Sequence, residues 1–177
     1  MTDISVAILD SAERRMRIGG FHGFSFREVA ADVGIKSSSV HYHFPTKEDL
    51  AAAVVRRYTD ELAERMDRRI EVDPDPISVW TKAFRGTLVS AERLCPCTVL
   101  GAGSLDLPPK VSAEVKRFFN MCLKKLADEG LPGSAATEFL ATLTGASIIA
   151  VATDDVDTYD RAIGFQASQL EQAAAAE

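Results

Sequence analysis

The stretch from Ser25 to Pro45 is cut at Gly34, and neither half leaves room for more than a short helix. Ser25-Phe26-Arg27-Glu28 reads as a capping box, in which the serine hydroxyl accepts from a free helix-start N–H and the glutamate reaches back to the serine. Gly34 ends that helix because glycine takes a left-handed conformation without steric cost. Pro45 disfavours helical geometry at Phe44, so a second helix must fit between Gly34 and Pro45. Two short helices joined by a glycine turn have the geometry of a helix-turn-helix. Ala30 is small where the helices approach, Val40 is an apolar plug facing back, and Val29, Val33 and Ile35 supply the rest of a small core.

Helical periodicity continues along most of the chain. Ile4, Ile8, Leu9, Ala12 and Met16 share one face of a first helix stopped by Gly19-Gly20. Thr46-Lys47-Glu48-Asp49 is a second capping box and opens a longer helix carrying Leu50, Val54, Tyr58, Leu62, Met66 and Ile70. Along it Arg56, Arg57, Arg65, Arg68 and Arg69 alternate with Asp60, Glu61, Glu64 and Asp67, which reads as a solvated face. Ile77, Trp80, Phe84 and Leu88 make the next stripe, and Cys95 to Pro109, rich in Gly and Pro, reads as irregular. Val111, Val115, Phe118, Cys122 and Leu126 follow, then a helix over 134–153 and a last one with Tyr159, Ile163, Phe165 and Leu170. No alternating strand pattern interrupts the series. The fold class expected is all-α: an N-terminal three-helix domain followed by a larger helical domain.

The 177 residues, 46% hydrophobic and 26% charged, exclude a disordered chain and allow a small domain joined to a larger one. A net charge of −6 argues against binding polyanions over the whole surface and leaves a local patch open. The uncharged run Phe139–Thr153 is shorter than the roughly 20 apolar residues that span a bilayer. With no basic-then-apolar leader pattern, the expected setting is cytoplasmic, without a membrane partner. All 3 histidines precede the 3 cysteines, so no four-ligand zinc set is assembled along the sequence and no metal is expected. No Ser-His-Asp order, zinc-hydrolase pair or phosphate loop occurs, so the chain is not expected to be an enzyme.

From about Ile4 to Leu50 the chain resembles the DNA-binding domain of the TetR/AcrR family of transcriptional regulators. The resemblance is carried by Gly20-Phe21-His22-Gly23-Phe24, by Phe26-Arg27-Glu28-Val29-Ala30 with Gly34-Ile35, and above all by His43-Phe44-Pro45-Thr46-Lys47-Glu48-Asp49-Leu50. It implies a DNA-binding domain over residues 1–64, with the motif at about 25–44, and an effector-binding and dimerisation domain over 65–177. It further implies a homodimer on palindromic operator DNA, acting as a repressor released by an unidentified small-molecule effector and needing no cofactor. Two positions depart from the family pattern. Lys36 stands where a capping serine or threonine is usual, so Ser37 is expected to cap the reading helix one residue later. His41 stands where tyrosine is favoured, and Tyr42, one residue on, is rotated by about 100°.

The DNA-contacting candidates follow from the chemistry of groove and phosphate. Ser37, Ser38 and Ser39 are short enough for close approach, and His41, Tyr42 and His43 can donate to phosphates or reach a base. Lys36 and Arg27 add cations, and Lys47 joins a positive side chain to the free N–H groups of a helix start. Phe21, Phe24, Phe26, Phe44 and His22 read as structural. Beyond the head, Trp80, Phe84, Phe118, Phe119, Met121, Phe139 and Leu143 are candidates for an effector pocket. Ile148, Ile149 and Val151, with the final helix, are candidates for a four-helix dimer interface. Two alternatives stand beside this reading. One is a thiol-based sensor at Cys95 and Cys97, with Arg93 lowering a thiol pKa and Cys122 serving only as packing. The other is a helical interaction protein that has lost DNA binding.

Overall fold

In a computed structural model, which describes residues 3–90, 94–131 and 133–174, the chain is built from helices. They are α1 (Asp3–Gly19), α2 (Phe26–Val33), α3 (Ser37–His43), α4 (Lys47–Ile70), α5 (Pro76–Val89), α6 (Pro96–Ala102), α7 (Pro109–Asp128), α8 (Gly133–Thr153) and α9 (Val156–Ala174). Single 3-10 turns lie at Gly20–Gly23 and Ser104–Asp106. No strand occurs among the described residues. The chain divides into two compact units, Met1–Glu61 with Cys95–Phe119 and Leu62–Leu94 with Asn120–Glu177. Arg93 and the side chain of Leu170 lie outside the described residues.

In the first unit the local signals act as expected. Ser25 caps α2 by accepting from the Glu28 amide at 3.3 Å while its hydroxyl donates to the Glu28 carboxylate at 2.7 Å. Gly34 closes α2 at φ +75°, where a residue with a side chain would be strained. At the start of α4, the Thr46 hydroxyl accepts from the Asp49 amide at 3.1 Å, and the Asp49 carboxylate accepts from the Thr46 amide at 3.2 Å. Ile8, Leu9, Ala12 and Met16 of α1 and Leu50, Val54 and Val55 of α4 are almost wholly buried, as are Phe24 and Val29. Burying a side chain of that size stabilises the fold by about 1.5–3 kcal/mol.

Polar bonds fix α1 against its neighbours. Asp32 of α2 accepts from Arg15 Nε at 2.8 Å, Arg15 Nη2 at 2.9 Å and the Ser11 hydroxyl at 2.6 Å. These bonds, Arg15 first and Ser11 second, hold the Asp32 carboxyl down at about 2. Arg57 of α4 donates to Asp10 at 2.6 Å and Glu13 at 2.8 Å, with only 14% of its side chain exposed. Arg56 donates to Glu114 of α7, Lys110 of α7 to Asp49, and Arg117 to Asp60. The solvated face expected on α4 is corrected at Arg57, whose side chain is 14% exposed, while Arg56, Asp60, Glu61, Glu64, Asp67, Arg68 and Arg69 are exposed as expected. Its arginines alternate with acids in sequence, but Arg56 and Arg57 find partners on α7 and α1, far away along the chain.

The Cys95–Pro109 stretch is also corrected, since it holds the helix α6 and the second 3-10 turn rather than irregular chain. Pro96 occupies the first turn of α6, where its missing N–H costs nothing, and the Cys95 sulfur accepts from the Thr98 amide at 3.2 Å. Gly101 suits a close approach: a Cβ there would lie 3.1 Å from the Phe119 ring.

In the second unit α8 packs against α9 and α5. Trp80 is fully buried, and its Nε1 donates to Glu129 at 2.7 Å, while burial pushes the Glu129 carboxyl up. Tyr159, also fully buried, donates to the Thr81 carbonyl at 3.0 Å. Arg85 makes a two-point ion pair with Asp160 at 2.7 and 2.8 Å. Helix α8 extends beyond the uncharged run seen in sequence to 21 residues. By length and composition alone it is able to cross a membrane, yet Ala136, Phe139, Leu140, Leu143, Ala146, Ser147 and Ala150 are buried within the protein.

Because ionised Asp32 is favoured in the fold, its contribution is complete above the ordinary aspartate value of 3.8 and is lost as pH falls through about 2. Asp32→Ala should cost about 1 kcal/mol at neutral pH, less than is usual for hydrogen bonds to charged groups because the site is partly solvated. The stability difference between wild type and variant, measured by urea unfolding, should shrink across that acid window.

Candidate nucleic-acid interface

Helix α3 has one side chain fully inside the protein, Val40, which is 0% exposed. Anchoring a helix at a single point leaves its other positions to the surface. Lys36, Ser38, His41 and Tyr42 are exposed, and Ser37, Ser39 and His43 are half-buried. Tyr42 is 86% exposed, and its ring meets His43 edge-on at 5.4 Å. An aromatic hydroxyl left so open carries both a stacking face and a donor.

The helix starts differently from expectation. Lys36 is the N-cap, its side chain makes no capping bond, and Ser37 is the first helical residue. The Lys36 carbonyl accepts from the Ser39 amide at 2.9 Å. Ser37 is thus not the cap, and its hydroxyl is not consumed in that role. Backbone geometry at Lys36 (φ −78°, ψ 147°) lets the chain turn into the helix without a side-chain oxygen.

His41 turns toward its own unit. Its ring lies edge-on to Phe26, 4.5 Å between centroids, and Nδ1 is 3.4 Å from the Pro45 carbonyl. His41 and Tyr42 are both exposed, and His41 is the one that also touches Phe26. Arg27, on α2, is exposed.

Lys47 sits at the first turn of α4, half-buried, with its ammonium 4.7 Å from the centre of the Phe21 ring and 4.8 Å from that of Phe24. Burial lowers its pKa, partly opposed by the charge of Glu28. Phe21 belongs to the Gly20–Gly23 turn, which is set by Gly20 at φ +61° and by Gly23, where a Cβ would crowd the Arg15 carbonyl at 3.2 Å. That pairing of Lys47 with two rings is absent from the sequence expectations. Its signal is the placement of Phe21 and Phe24 around a glycine-bounded turn, which says nothing about distance to residue 47.

The effector candidates are drawn from both units. Phe118 and Phe119 belong to the first unit, where Phe118 packs against Tyr58 at 5.9 Å and against Phe119 at 5.2 Å. Trp80, Phe84, Met121, Phe139 and Leu143 belong to the second, where Trp80, Phe139 and Leu143 are wholly buried. Cys95, Cys97 and Cys122 are buried thiols outside any disulfide. Burial pushes the Cys95 thiol up, but hydrogen bonds from Cys97 and Thr98 and the charge of Arg17 outweigh it and hold the group at about 6. The nearby cation is Arg17 of α1. Among the described residues no set of three His, Cys, Asp or Glu side chains is grouped for a metal ion.

Comparison with known proteins places these features in a group. Residues 8–54 match the family described as bacterial regulatory proteins, tetR family. A transcriptional regulator of the TetR family from Agrobacterium tumefaciens is 25% identical, with a TM-score of 0.86 and 96% of each chain covered. A TetR transcriptional regulator from Legionella pneumophila is 24% identical, with a TM-score of 0.86, covering 96% of this chain and 98% of its own. The reduced form of E. coli NemR, 17% identical, superposes with a TM-score of 0.82 over 93% of this chain and 96% of its own. No curated protein sequence matches the chain.

Buried and exposed positions on α3 should respond differently to truncation. Val40→Ala should lower stability by about 2 kcal/mol, whereas Ser38→Ala and Tyr42→Ala should stay within about 0.5 kcal/mol of wild type. Urea midpoints of the three variants give the comparison.

Proposed function

Since the chain belongs to the TetR family of transcriptional regulators, we propose that it is a repressor that binds a palindromic operator as a homodimer and leaves it when a small-molecule effector binds. Residues 1–64 are the DNA-binding domain, and 65–177 hold the effector and the dimer interface. The observation that carries this reading is the outward row on α3, with Ser38 and Tyr42 exposed around the single buried anchor Val40. Such a helix enters a major groove with small polar groups toward the bases and donors toward the phosphates. Ser37, Ser38 and Ser39 face base edges; Arg27, Lys36, Tyr42, His43 and Lys47 hold phosphates. His41, packed on Phe26, reaches the DNA only at the edge of the contact.

Two copies are needed to reach half-sites about 34–36 Å apart. Ile148, Ile149 and Phe165 are 40%, 52% and 67% exposed on the mutually packed helices α8 and α9, which favours that face for pairing. Helix α4 runs without interruption from Lys47 to Ile70 and includes residues of both units, which supports a role for it in carrying the effector's influence to the reading heads. Coupling of this kind is typically worth about 1–3 kcal/mol.

A second reading, thiol sensing at Cys95 and Cys97, is supported by the place of Cys95 at the start of α6, where its sulfur accepts from the Thr98 amide at 3.2 Å, a contact that favours the thiolate. That thiolate would attack a peroxide oxygen, breaking the O–O bond and releasing water or an alcohol to leave a sulfenic acid. The Cys97 thiol would then displace water to form a disulfide. If the doubly substituted Cys95→Ser, Cys97→Ser protein keeps both operator affinity and its response to peroxide, this reading is removed.

A salt-titrated gel shift with DNA from upstream of the gene tests the main proposal. Lys47→Ala should weaken binding to every sequence and reduce the salt slope by about one. Replacing Ser38 or Ser39 should change which operator bases are tolerated. A chain that binds no duplex at low salt would be a helical interaction protein instead.

A further inference from the structure

We propose that Phe21 and Phe24 form an aromatic seat that positions the Lys47 ammonium for phosphate contact; the inference rests on the DNA-binding reading above. The two rings stand nearly perpendicular, at 88° with centroids 6.4 Å apart, and the ammonium lies at 4.7 and 4.8 Å from their centres. The negative face of an aromatic ring attracts a cation, and more strongly where water is excluded. Lys47 is half-buried and Phe24 is 2% exposed, so the interaction is partly screened from solvent.

The manner of holding matters for function. Arg15, Arg57 and Lys110 are each fixed by a carboxylate, which neutralises the charge while it orders the side chain. Among the described residues Lys47 has no such ion pair, and two rings order it instead. Rings carry no net charge, so the ammonium is left unpaired for a phosphate, although the charge of Glu28 acts on it from nearby. A lysine stem otherwise has many rotamers to lose on binding, and ordering it in advance removes that loss from association. The geometry of the turn supports a fixed seat, because Gly20 and Gly23 allow the backbone to fold tightly where Phe21 meets the Lys47 ammonium. On its other side a Cβ at Gly20 would lie 3.7 Å from Val99 of α6, so the turn is backed by protein. Phe21 and Phe24 are positioning residues, acting through Lys47.

The test uses the full-length protein and a duplex selected in vitro by the wild type from a random pool. Phe21→Leu keeps an apolar side chain and removes the ring face; it should weaken binding about three- to tenfold. Phe21→Trp, which keeps a ring face, should bind close to wild type. In the Lys47→Ala background, Phe21→Leu should produce no further loss. If the two losses simply multiply, or if Phe21→Leu leaves affinity unchanged while Lys47→Ala lowers the salt slope, the seat is disproved and the DNA-binding reading stands. If Lys47→Ala leaves the slope unchanged, or no duplex is selected, it is the DNA-binding reading that fails, and the seat loses its purpose with it.

Discussion

Helix α3 is tied to the protein by Val40, so its direction is inherited from α2, and α2 is held to α1 through Asp32. One carboxylate receives three hydrogen bonds from two α1 side chains, which leaves α2 little freedom to roll. If α2 rolled on α1 it would carry α3 with it and redirect the exposed Ser38 and Tyr42. The network around Arg57 repeats the arrangement for α4, joining it to Asp10 and Glu13 of the same α1. Helix α1 therefore works as a post to which the reading elements are fastened at polar points, with the buried apolar stripe supplying most of the cohesion.

Two ways of holding a cation occur in the first unit. Arg15, Arg56, Arg57, Lys110 and Arg117 are matched to carboxylates and serve the fold. Lys47 is ordered without being neutralised. A chain of net charge −6 that nonetheless meets a polyanion must concentrate positive potential in a few places. Spending most arginines on internal pairs keeps loose electrostatic binding weak and leaves recognition to a short list of side chains.

Where a structural cause lies within a few residues, the sequence revealed it. Ser25 with Glu28, Gly34, and Thr46 with Asp49 act on their own neighbourhood, and each is found doing so. Causes that depend on distant partners were not readable. Nothing near Arg57 announces Asp10, and the alternation of signs on α4 suggested solvent. Nothing near Asp32 announces Ser11 and Arg15, a full helix earlier. Helix α6 was hidden for another reason: Gly101 and Gly103 depress helical propensity, while Pro96 and the Cys95 cap favour a helix start. On α3 the outward set was legible from the Ser37–Ser39 run, but the packing of His41 depended on Phe26 and Pro45 offering the histidine a place.

The separation of duties along α3 bears on descent. Stability rests on Val40 and on residues of other helices, while Ser38 and Tyr42 are exposed and support no part of the core. A duplicated gene can therefore exchange these side chains without passing through poorly folded intermediates, and under the proposed DNA-binding role such an exchange would alter the cognate sequence. Lineages built on this scaffold are free to diverge in vocabulary while their architecture stays constant.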